Sequence, residues 1–469
     1  MHIHVVRAGE SLWQIANLYG VSITSIARIN GLTDLGRIVP GLALVIPTED
    51  IYYTVQPGDT LWTIAQRFGT TVGFIMQNNQ IADPNSIYPG MVIYIPAIRH
   101  QVRPGESLWA IAQRYGVSLQ SLIQANNIVN PNVIYPGTVL VIPRRQRPVI
   151  EVNGYIYFLG QQAVPIINEV GRLLTYLSPF AYLIREDGSL QSIDDSPAIQ
   201  AGRAQNAIPM MSVNNFTSTS AGQNLASVVL NSTQISNTLI DNILGVMRDK
   251  GYRGLNVDFE NVLPADREAY NRFLQLVVDR LHPEGYFVST ALAPKVSATQ
   301  TGLLYEAHDY PAHGRIVDFV ILMTYEWGYR KGSPQAISPL NQIRRVLDYA
   351  VSVIPRNKIF FGFQIYGRDW LIPFVEGQEA ETIGVQEAVN RAIRYGAAIQ
   401  YDTVSQSPFF RYTDERGRAH EVWFEDARSA QARFDTVKEY NLRGISYWAL
   451  GYPFPQNWVL LEDNFIIRK

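Results

Sequence analysis

The chain has 469 residues, of which 47% are hydrophobic and 17% are charged, a composition typical of globular rather than disordered or fibrous proteins. Its 39 Lys and Arg against 41 Asp and Glu give a net charge of -2, which excludes the strongly basic surface typical of nucleic-acid-binding proteins. There is no Cys, and the 7 His show no metal-ligand spacing. We therefore expect no metal, no other cofactor and no nucleic-acid partner.

The N-terminal segment bears on how the protein reaches its site of action. It lacks the basic start, apolar stretch and small-residue cleavage site of a signal peptide. Nowhere does the chain contain the run of about 18 apolar residues that a membrane span needs. We expect a protein that is delivered without a signal peptide and has no membrane partner.

The first third of the chain repeats one pattern three times, at a period of roughly 48 residues. Each copy starts with a short apolar strand, a glycine, an acidic residue, Ser or Thr, and Leu-Trp, and these starts are residues 4–13, 53–62 and 100–109. The spacing of apolar residues predicts a βααβ fold for each copy. The three repeats are predicted to occupy residues 1–48, 51–97 and 98–144.

Local signals mark the ends of the first helix in each repeat. A hydroxyl residue is placed to cap its start, namely Ser11, Thr60 and Ser107. A glycine is placed to end it, namely Gly20, Gly69 and Gly116. The tryptophan of each copy falls at helical spacing with Leu, Ile and Ala, so we expect Trp13, Trp62 and Trp109 to lie in the core and not to bind a ligand.

The order Gly-(Asp/Glu)-(Ser/Thr)-Leu-Trp, then Ile-Ala, Gly, Asn, Pro-Gly and Ile-Pro, resembles the LysM family. This resemblance implies binding of N-acetylglucosamine-containing glycans in a groove between the first strand-helix loop and the second helix-strand loop. The implied glycan-binding residues are Gly58, Asp59, Thr60, Leu61 and Ile81 in the second repeat, and Gly105, Glu106, Ser107, Leu108 and Ile128 in the third. The first repeat departs from the pattern in its second loop, residues 32–37.

Beyond a short polar linker at residues 144–148, eight apolar, β-rich runs alternate with helical stretches. The runs are residues 149–157, 174–184, 207–213, 254–259, 287–293, 318–324, 359–365 and 444–449. Near-continuous apolar strands are typical of a parallel sheet covered on both faces, so we predict an α/β protein with a (β/α)8 TIM barrel. The barrel is expected over residues 148–469, with a small α+β insertion at about residues 371–423.

Three polar side chains alternate along the fourth run and the residue after it, namely those of Asn256, Asp258 and Glu260. Because side chains alternate along a strand, all three point to one side, into the barrel, at the end where TIM-barrel enzymes keep their active sites. Buried carboxylates are costly without a positive partner, and no basic residue shares this face of the strand. The pattern therefore favours a catalytic site over a structural salt bridge.

The same segment resembles the signature of glycoside hydrolase family 18, Asp-Gly-x-Asp-x-Asp-x-Glu. Asp258 and Glu260 match the last two acidic positions, whereas Arg253 and Asn256 stand at the first two. Further matches lie on the sixth, seventh and eighth runs, at residues 323–326, 363–367 and 446–448. In combination with the LysM-like repeats, the chain is similar to the SleL/YaaH-type cortex-lytic enzymes of spore-forming bacteria.

This resemblance implies retaining, substrate-assisted hydrolysis of β-1,4 bonds at N-acetylglucosamine. Glu260 would be the general acid, Asp258 would orient the substrate's 2-acetamido group, and Tyr325 would hold the acetamido oxygen. The implied substrate contacts are Asn256, Trp448, Glu326 and Asn215.

Three functions of different classes are compatible with these residues. They are a peptidoglycan N-acetylglucosaminidase, a chitinase that uses the same residues, and a non-catalytic, lectin-like wall protein. The presence of Glu260 argues against the lectin. We expect peptidoglycan or another N-acetylglucosamine-containing glycan as the partner. We expect the protein in the spore outer layers or cell wall, because a mother cell can deposit a leaderless protein around the spore and later lyse.

Overall fold

The computed structural model describes residues 1–19, 21–47, 51–67, 72–95, 99–115, 117–143, 147–216 and 223–469. The chain divides into two compact units, Met1–Arg147 and Pro148–Lys469. The glycines expected to end the first helix of each repeat, Gly20, Gly69 and Gly116, lie outside the described residues, as do residues 144–146 of the linker.

The first unit contains three βααβ repeats, as predicted, and in each repeat the two strands pair antiparallel. The first repeat comprises β1 (His2–Val5), α1 (Leu12–Tyr19), α2 (Ile23–Ile29) and β2 (Ala43–Ile46). The second comprises β3 (Ile51–Thr54), α3 (Leu61–Arg67), α4 (Val72–Asn79) and β4 (Val92–Ile95). The third comprises β5 (Arg99–Gln101), α5 (Leu108–Tyr115), α6 (Leu119–Ala125) and β6 (Val139–Val141).

Side-chain hydrogen bonds to the backbone define each repeat. The hydroxyls of Ser11, Thr60 and Ser107 accept from a backbone N–H in the first helical turn at 3.1 to 3.3 Å, which confirms them as caps. At the end of α6, the Asn126 side chain donates to the Val141 carbonyl at 2.7 Å and accepts from the Val141 N–H at 2.6 Å. Equivalent asparagines tie the second helix of the other repeats to β2 and β4.

The expectation that the repeat tryptophans are core residues is wrong. Trp13, Trp62 and Trp109 are 65%, 63% and 62% exposed. In α1, for example, the buried face is made by Leu12 and Ile15, which are 3% and 1% exposed. The residue directly after the leucine is rotated by about 100° around the helix, and this rotation carries the indole past the edge of the buried face.

The second unit is larger and mixes strands with helices. Its strands, in chain order, are β7 (Val149–Ile156), β8 (Tyr176–Pro179), β9 (Tyr182–Ile184), β10 (Leu190–Gln191), β11 (Ile208–Asn214), β12 (Gly254–Asp258), β13 (Phe287–Leu292), β14 (Phe319–Leu322), β15 (Ile359–Gln364), β16 (Tyr366–Ile372), β17 (Glu381–Gly384), β18 (Gln400–Asp402), β19 (Ser407–Thr413), β20 (Ala419–Trp423), β21 (Gly444–Trp448) and β22 (Ile466–Ile467). Its helices are α7 (Ala163–Val170), α8 (Ser196–Ala204), α9 (Gln223–Leu230), α10 (Thr233–Lys250), α11 (Arg267–Leu281), α12 (Tyr310–Ile316), α13 (Leu340–Val353), α14 (Val385–Arg394), α15 (Ala427–Glu439) and α16 (Pro455–Asn464). Across the part of the chain that the structure describes, none of the helices has both the length and the apolar character needed to cross a membrane.

Eight of these strands close into a parallel barrel, which confirms the predicted (β/α)8 fold. The pairs run β7-β8-β11-β12-β13-β14-β15-β21, and β21 pairs again with β7. Aromatic rings fill part of the interior: Phe319 stacks on Tyr176 with ring centroids 5.5 Å apart and packs on Phe360 at 4.8 Å. This packed layer leaves the carboxyl ends of the strands for polar side chains.

An insertion with its own sheet follows β15. Its strands pair in the order β17-β16-β20-β19-β18, next to α14. The sheet begins at Tyr366, before the expected start of the insertion at residue 371. Strand β18 is limited to Gln400–Asp402, because residues 395–399 follow the end of α14 and Gly396 turns the chain there with φ +62.

Barrel closure depends on a close approach at Gly444, where an added Cβ would lie 2.0 Å from the Glu151 carbonyl oxygen of β7. We expect Gly444→Ala to lower the free energy of unfolding by about 1–3 kcal/mol, because the two strands must move apart. The control is Gly245→Ala in α10, an exposed helical position with no atom within 4 Å of the new Cβ. This control should raise the free energy of unfolding by about 0.5–1 kcal/mol. Urea unfolding followed by tryptophan fluorescence tests both; equal effects would contradict the closure described here.

Candidate active site

Two carboxylates stand at the carboxyl end of β12. Asp258 is the last residue of the strand and is buried, and Glu260 follows after Phe259 and is half-buried. Both line a cleft of about 580 Å³ at the end of the barrel where TIM-barrel active sites form. Other predicted site residues that line this cleft are Tyr325, Glu326 and Trp448.

The two carboxylate oxygens of Asp258 have different surroundings. Its Oδ2 accepts from Asn214 Nδ2 at 3.1 Å, whereas Oδ1 is buried without a hydrogen-bond partner among the described residues. Burial raises the pKa of Asp258 because the charged form loses hydration, and the bond from Asn214 works against this rise. A buried carboxylate oxygen without a partner can accept an N–H from a ligand in the cleft.

Glu260 is positioned through its backbone. Asn215 accepts from the Glu260 N–H at 2.8 Å and donates to the Glu260 carbonyl at 2.8 Å. Burial raises the pKa of Glu260 well above its usual value, and the Asp258 and Glu326 carboxylates raise it further. Such a carboxyl group keeps its proton to higher pH and can act as a general acid.

Tyr325 and Glu326 follow β14 on the neighbouring side of the cleft. Burial and the nearby carboxylates raise the pKa of Tyr325 well above its usual value, so its hydroxyl remains a hydrogen-bond donor. Glu326 accepts from the Tyr366 hydroxyl and, at 2.7 Å, from Arg368 Nη2. The first strand of the insertion therefore supplies two of the groups that hold this carboxylate.

Trp448 lies at the end of β21 with its ring in an aromatic cluster. Its ring centroid is 4.7 Å from that of Phe180 and 5.6 Å from that of Tyr155, both in edge-to-face geometry. All three residues line the cleft. An indole held in this way presents a flat apolar surface of the kind that packs against a sugar ring.

Two predicted substrate contacts do not line the cleft. Asn256 is fully buried, two residues before Asp258 along β12 and therefore deeper in the barrel; it accepts from Ser289 at 3.0 Å and donates to Ser212 at 3.4 Å. Asn215 is also fully buried, and its amide bonds the Glu260 backbone. Both asparagines bond to groups of the protein around β12, and neither is among the residues that line the cleft.

Sequence reasoning missed several cleft residues, namely Tyr155, Phe180, Phe216, Tyr305, Trp327, Arg330 and Arg368. Phe180 is the first residue after β8 and Phe216 is the second after β11, positions at the carboxyl ends of barrel strands that could have marked them. Arg368 lies in the insertion, where no barrel rule applies. In the described part of the chain, no group of three or more His, Asp or Glu side chains is placed to hold a metal ion.

The implied glycan-binding residues of the repeats divide into exposed and buried groups. Gly58, Thr60, Gly105 and Ser107 are exposed, and the two glycines have φ +86 and +82. Leu61, Ile81 and Leu108 are buried, and Ile128 packs on the core of the third repeat. Only the backbone of the buried leucines can therefore face a ligand.

The acidic side chains of the same loops are used inside the repeats. Asp59 accepts from the Tyr53 hydroxyl at 2.5 Å, and Glu106 lies 2.6 Å from His100 Nε2. Each carboxylate also accepts a backbone N–H from the start of its own loop, at 2.8 and 2.9 Å. These bonds shape the loops.

Comparison with known proteins decides the family. Residues 166–452 match the family described as glycosyl hydrolases family 18, and residues 4–47, 53–96 and 100–143 each match the LysM domain. The chain belongs to glycosyl hydrolase family 18. It is a glycoside hydrolase with three LysM repeats, and both kinds of domain indicate a glycan that contains N-acetylglucosamine as the ligand.

Similar members of family 18 are known. The cortical fragment-lytic enzyme of Bacillus subtilis (strain 168) is 46% identical over 325 residues, which cover 68% of this chain and 75% of that protein. The crystal structure of the spore cortex-lytic enzyme SleL from Bacillus megaterium QM B1551 is 38% identical and superposes with a TM-score of 0.79, covering 100% of this chain and 99% of that one. The structure of SleL from Bacillus cereus is 37% identical with a TM-score of 0.82, covering 100% and 98%.

The effect of the Glu326 carboxylate on the pKa of Glu260 should be measurable in the pH dependence of kcat/KM of this family 18 enzyme. Because its charge disfavours ionisation of Glu260, it raises the pKa of Glu260, and Glu326→Gln should lower that pKa. Glu260 would then lose its proton at lower pH, so the alkaline limb of the kcat/KM profile should move to lower pH. The control is Glu439→Gln, which removes an exposed carboxylate that pairs with Arg344 at 2.6 Å away from the cleft and should leave the limb in place. A limb that stays fixed or moves upward in Glu326→Gln would contradict this electrostatic coupling.

Proposed function

We propose that this protein is a peptidoglycan N-acetyl-β-D-glucosaminidase that acts on the spore cortex and cleaves β-1,4 bonds at N-acetylglucosamine with retention of configuration. The observation that carries this proposal is the carboxylate pair at the end of β12. Burial and neighbouring carboxylates raise the pKa of Glu260, and Asp258, which lines the cleft, has one oxygen without a hydrogen-bond partner among the described residues. Similarity to a cortical fragment-lytic enzyme and to spore cortex-lytic enzymes supports the cortex as the substrate.

The first step is proton donation to the leaving group. Glu260, kept protonated by burial and by its carboxylate neighbours, gives its proton to the glycosidic oxygen as the bond to the anomeric carbon breaks. Trp448 packs beneath the sugar at the cleavage site and excludes water from that face. The leaving sugar departs as a neutral alcohol.

The nucleophile is in the substrate. The oxygen of the 2-acetamido group attacks the anomeric carbon and forms a bicyclic oxazolinium ion. Asp258 Oδ1 accepts the acetamido N–H, and its negative charge stabilises the cation that forms. The Tyr325 hydroxyl donates to the acetamido oxygen before attack and so holds it in line with the bond that breaks.

Water completes the reaction. The Glu260 carboxylate takes a proton from a water molecule, which attacks the anomeric carbon from the side that the leaving group vacated. The oxazolinium ring opens, the acetamido group is restored and Glu260 is protonated again. Two inversions at the same carbon give net retention.

The LysM repeats would hold the enzyme on its polymeric substrate. Their exposed loop residues, such as Gly58 and Thr60 in the second repeat, offer backbone and hydroxyl groups to a glycan. We assign peptidoglycan of the spore outer layers or cell wall as this polymer. A chitinase remains the alternative because chitin contains the same sugar.

Parallel digestion of purified spore cortex and colloidal chitin tests the function. We expect faster cleavage of cortex, with mass spectrometry showing new N-acetylglucosamine reducing ends. Glu260→Gln should reduce the rate by at least about 10²-fold because the amide cannot donate an acidic proton, while binding to insoluble cortex is retained. Faster release of products from chitin would favour the chitinase, and near-normal turnover by Glu260→Gln would remove Glu260 as the acid.

Deletion of residues 1–147 tests the repeats, since the second unit, Pro148–Lys469, contains the complete barrel. The truncated protein should match the full chain on soluble cortex fragments and be slower on intact insoluble cortex, because tethering raises the local substrate concentration without new catalytic contacts. Initial rates on both substrates give the comparison. Equal rates of the two proteins on insoluble cortex would show that the repeats do not target the enzyme.

A further inference from the structure

A buried histidine lies directly behind the catalytic strand, and the mechanism above does not use it. His308 precedes α12 and is 1% exposed. Its Nδ1 accepts from the backbone N–H of Ala293, just after β13, at 2.8 Å, and its Nε2 lies 3.0 Å from the carbonyl oxygen of Phe259, just after β12. The imidazole ring therefore joins the ends of two adjacent barrel strands.

These partners determine the state of the ring. A backbone N–H can only donate, so Nδ1 must be the unprotonated acceptor. A carbonyl oxygen can only accept, so Nε2 must carry the proton. Both bonds are satisfied by one neutral tautomer, and burial lowers the pKa of His308 to about 4, which keeps the ring in this form above that pH.

The carbonyl that His308 contacts belongs to the peptide that joins Phe259 to Glu260. The N–H of the same peptide donates to Asn215 at 2.8 Å. Both polar atoms of this peptide are therefore held by neutral side chains, Asn215 on the β11 side and His308 on the β13 side. Rotation of the peptide, which would swing the Glu260 side chain, breaks at least one of these bonds.

The Ala293 segment, which His308 contacts through Nδ1, is also held by hydrogen bonds. The Tyr310 hydroxyl donates to the Ala293 carbonyl at 2.6 Å and accepts from the Lys295 N–H at 3.0 Å, and Lys295 Nζ donates to the His308 carbonyl at 3.1 Å. Ala293 and Pro294 line the cleft. His308 thus connects the acid's peptide to a braced segment of the cleft wall.

We propose that His308 is a positioning residue for Glu260, which holds the Phe259–Glu260 peptide against the Ala293 segment so that the carboxyl group stays at its working distance from the glycosidic oxygen. This inference rests on the proposed role of Glu260 as the acid. It predicts an effect on the chemical step and not on binding of substrate.

The test compares three variants of the full chain on soluble fragments of spore-cortex peptidoglycan. His308→Asn keeps an acceptor near the Nδ1 position and loses the donor to Phe259, so kcat should fall about 10- to 100-fold while KM stays within about twofold. His308→Gln places an amide N–H near the Nε2 position and should recover most of kcat. The matched control is His313→Phe: His313 is buried 6.2 Å from His308 between ring centroids, and its nitrogens have no hydrogen-bond partner among the described residues, so kcat should not change.

Thermal unfolding of each variant, followed by circular dichroism, separates loss of fold from loss of positioning. Equal kcat values for wild type and His308→Asn, or equal losses in the Asn and Gln variants, would overturn the inference. If His308→Asn does not fold, nitrogen NMR of the histidine rings in the wild-type chain tests the inference. Among the signals of the 7 His, that of His308 is identified as the one missing from the spectrum of His308→Gln. That signal must show a neutral ring protonated on Nε2, and any other state would overturn the inference.

The outcome for Glu260→Gln distinguishes the two proposals. If Glu260→Gln is inactive and His308→Asn is fully active, only the positioning role fails. If Glu260→Gln retains activity, the proposed function itself fails.

Discussion

The cost of burying two carboxyl groups side by side at the end of β12 is the constraint on which the active site depends. Desolvation raises the pKa of both Asp258 and Glu260, and the charge of Asp258 raises the pKa of Glu260 further, which suits Glu260 to the proton-donor role that we propose. The groups that hold these residues are neutral: Asn214 bonds Asp258, and Asn215 bonds the Glu260 backbone. A cation in their place would favour the carboxylate forms and remove the acid. The site therefore uses amide hydrogen bonds for position.

The insertion after β15 is coupled to the same electrostatics. Its first strand contributes Tyr366 and Arg368, which both bond Glu326 beside the catalytic pair. Glu326 in turn raises the pKa of Glu260. The Arg368 guanidinium, paired with Glu326, offsets part of this carboxylate's charge, so the small α+β subdomain influences the electrostatics around Glu260. The insertion thus lines the cleft through Arg368 and holds the Glu326 carboxylate through two of its residues.

The repeats solve a different problem, because a unit of about 45 residues has little interior with which to define a binding surface. Each repeat uses an asparagine to fasten its second helix to its last strand, as Asn126 does with Val141. The acidic residue of the first loop bonds within the repeat, as Glu106 does with His100. The loop is shaped by these bonds, and its glycine and hydroxyl residues are left at the surface for a ligand.

The sequence by itself determined the architecture and located the pair of carboxylates at the end of β12, because these depend on local patterns. Apolar runs with turn signals predicted eight barrel strands, and the alternation of side chains placed Asp258 and Glu260 on one face. Only the tertiary structure decided three other features. Asn256 lies deep in the barrel, Asn215 and His308 hydrogen-bond the Phe259–Glu260 peptide, and Arg368 pairs with Glu326. Each of these contacts joins residues that are far apart in sequence or depends on how the barrel closes. The exposure of Trp13 and its equivalents was also decided by the tertiary structure. Helical spacing locates the apolar face of a helix, but the elements packed against that face decide which residues at its edge are buried.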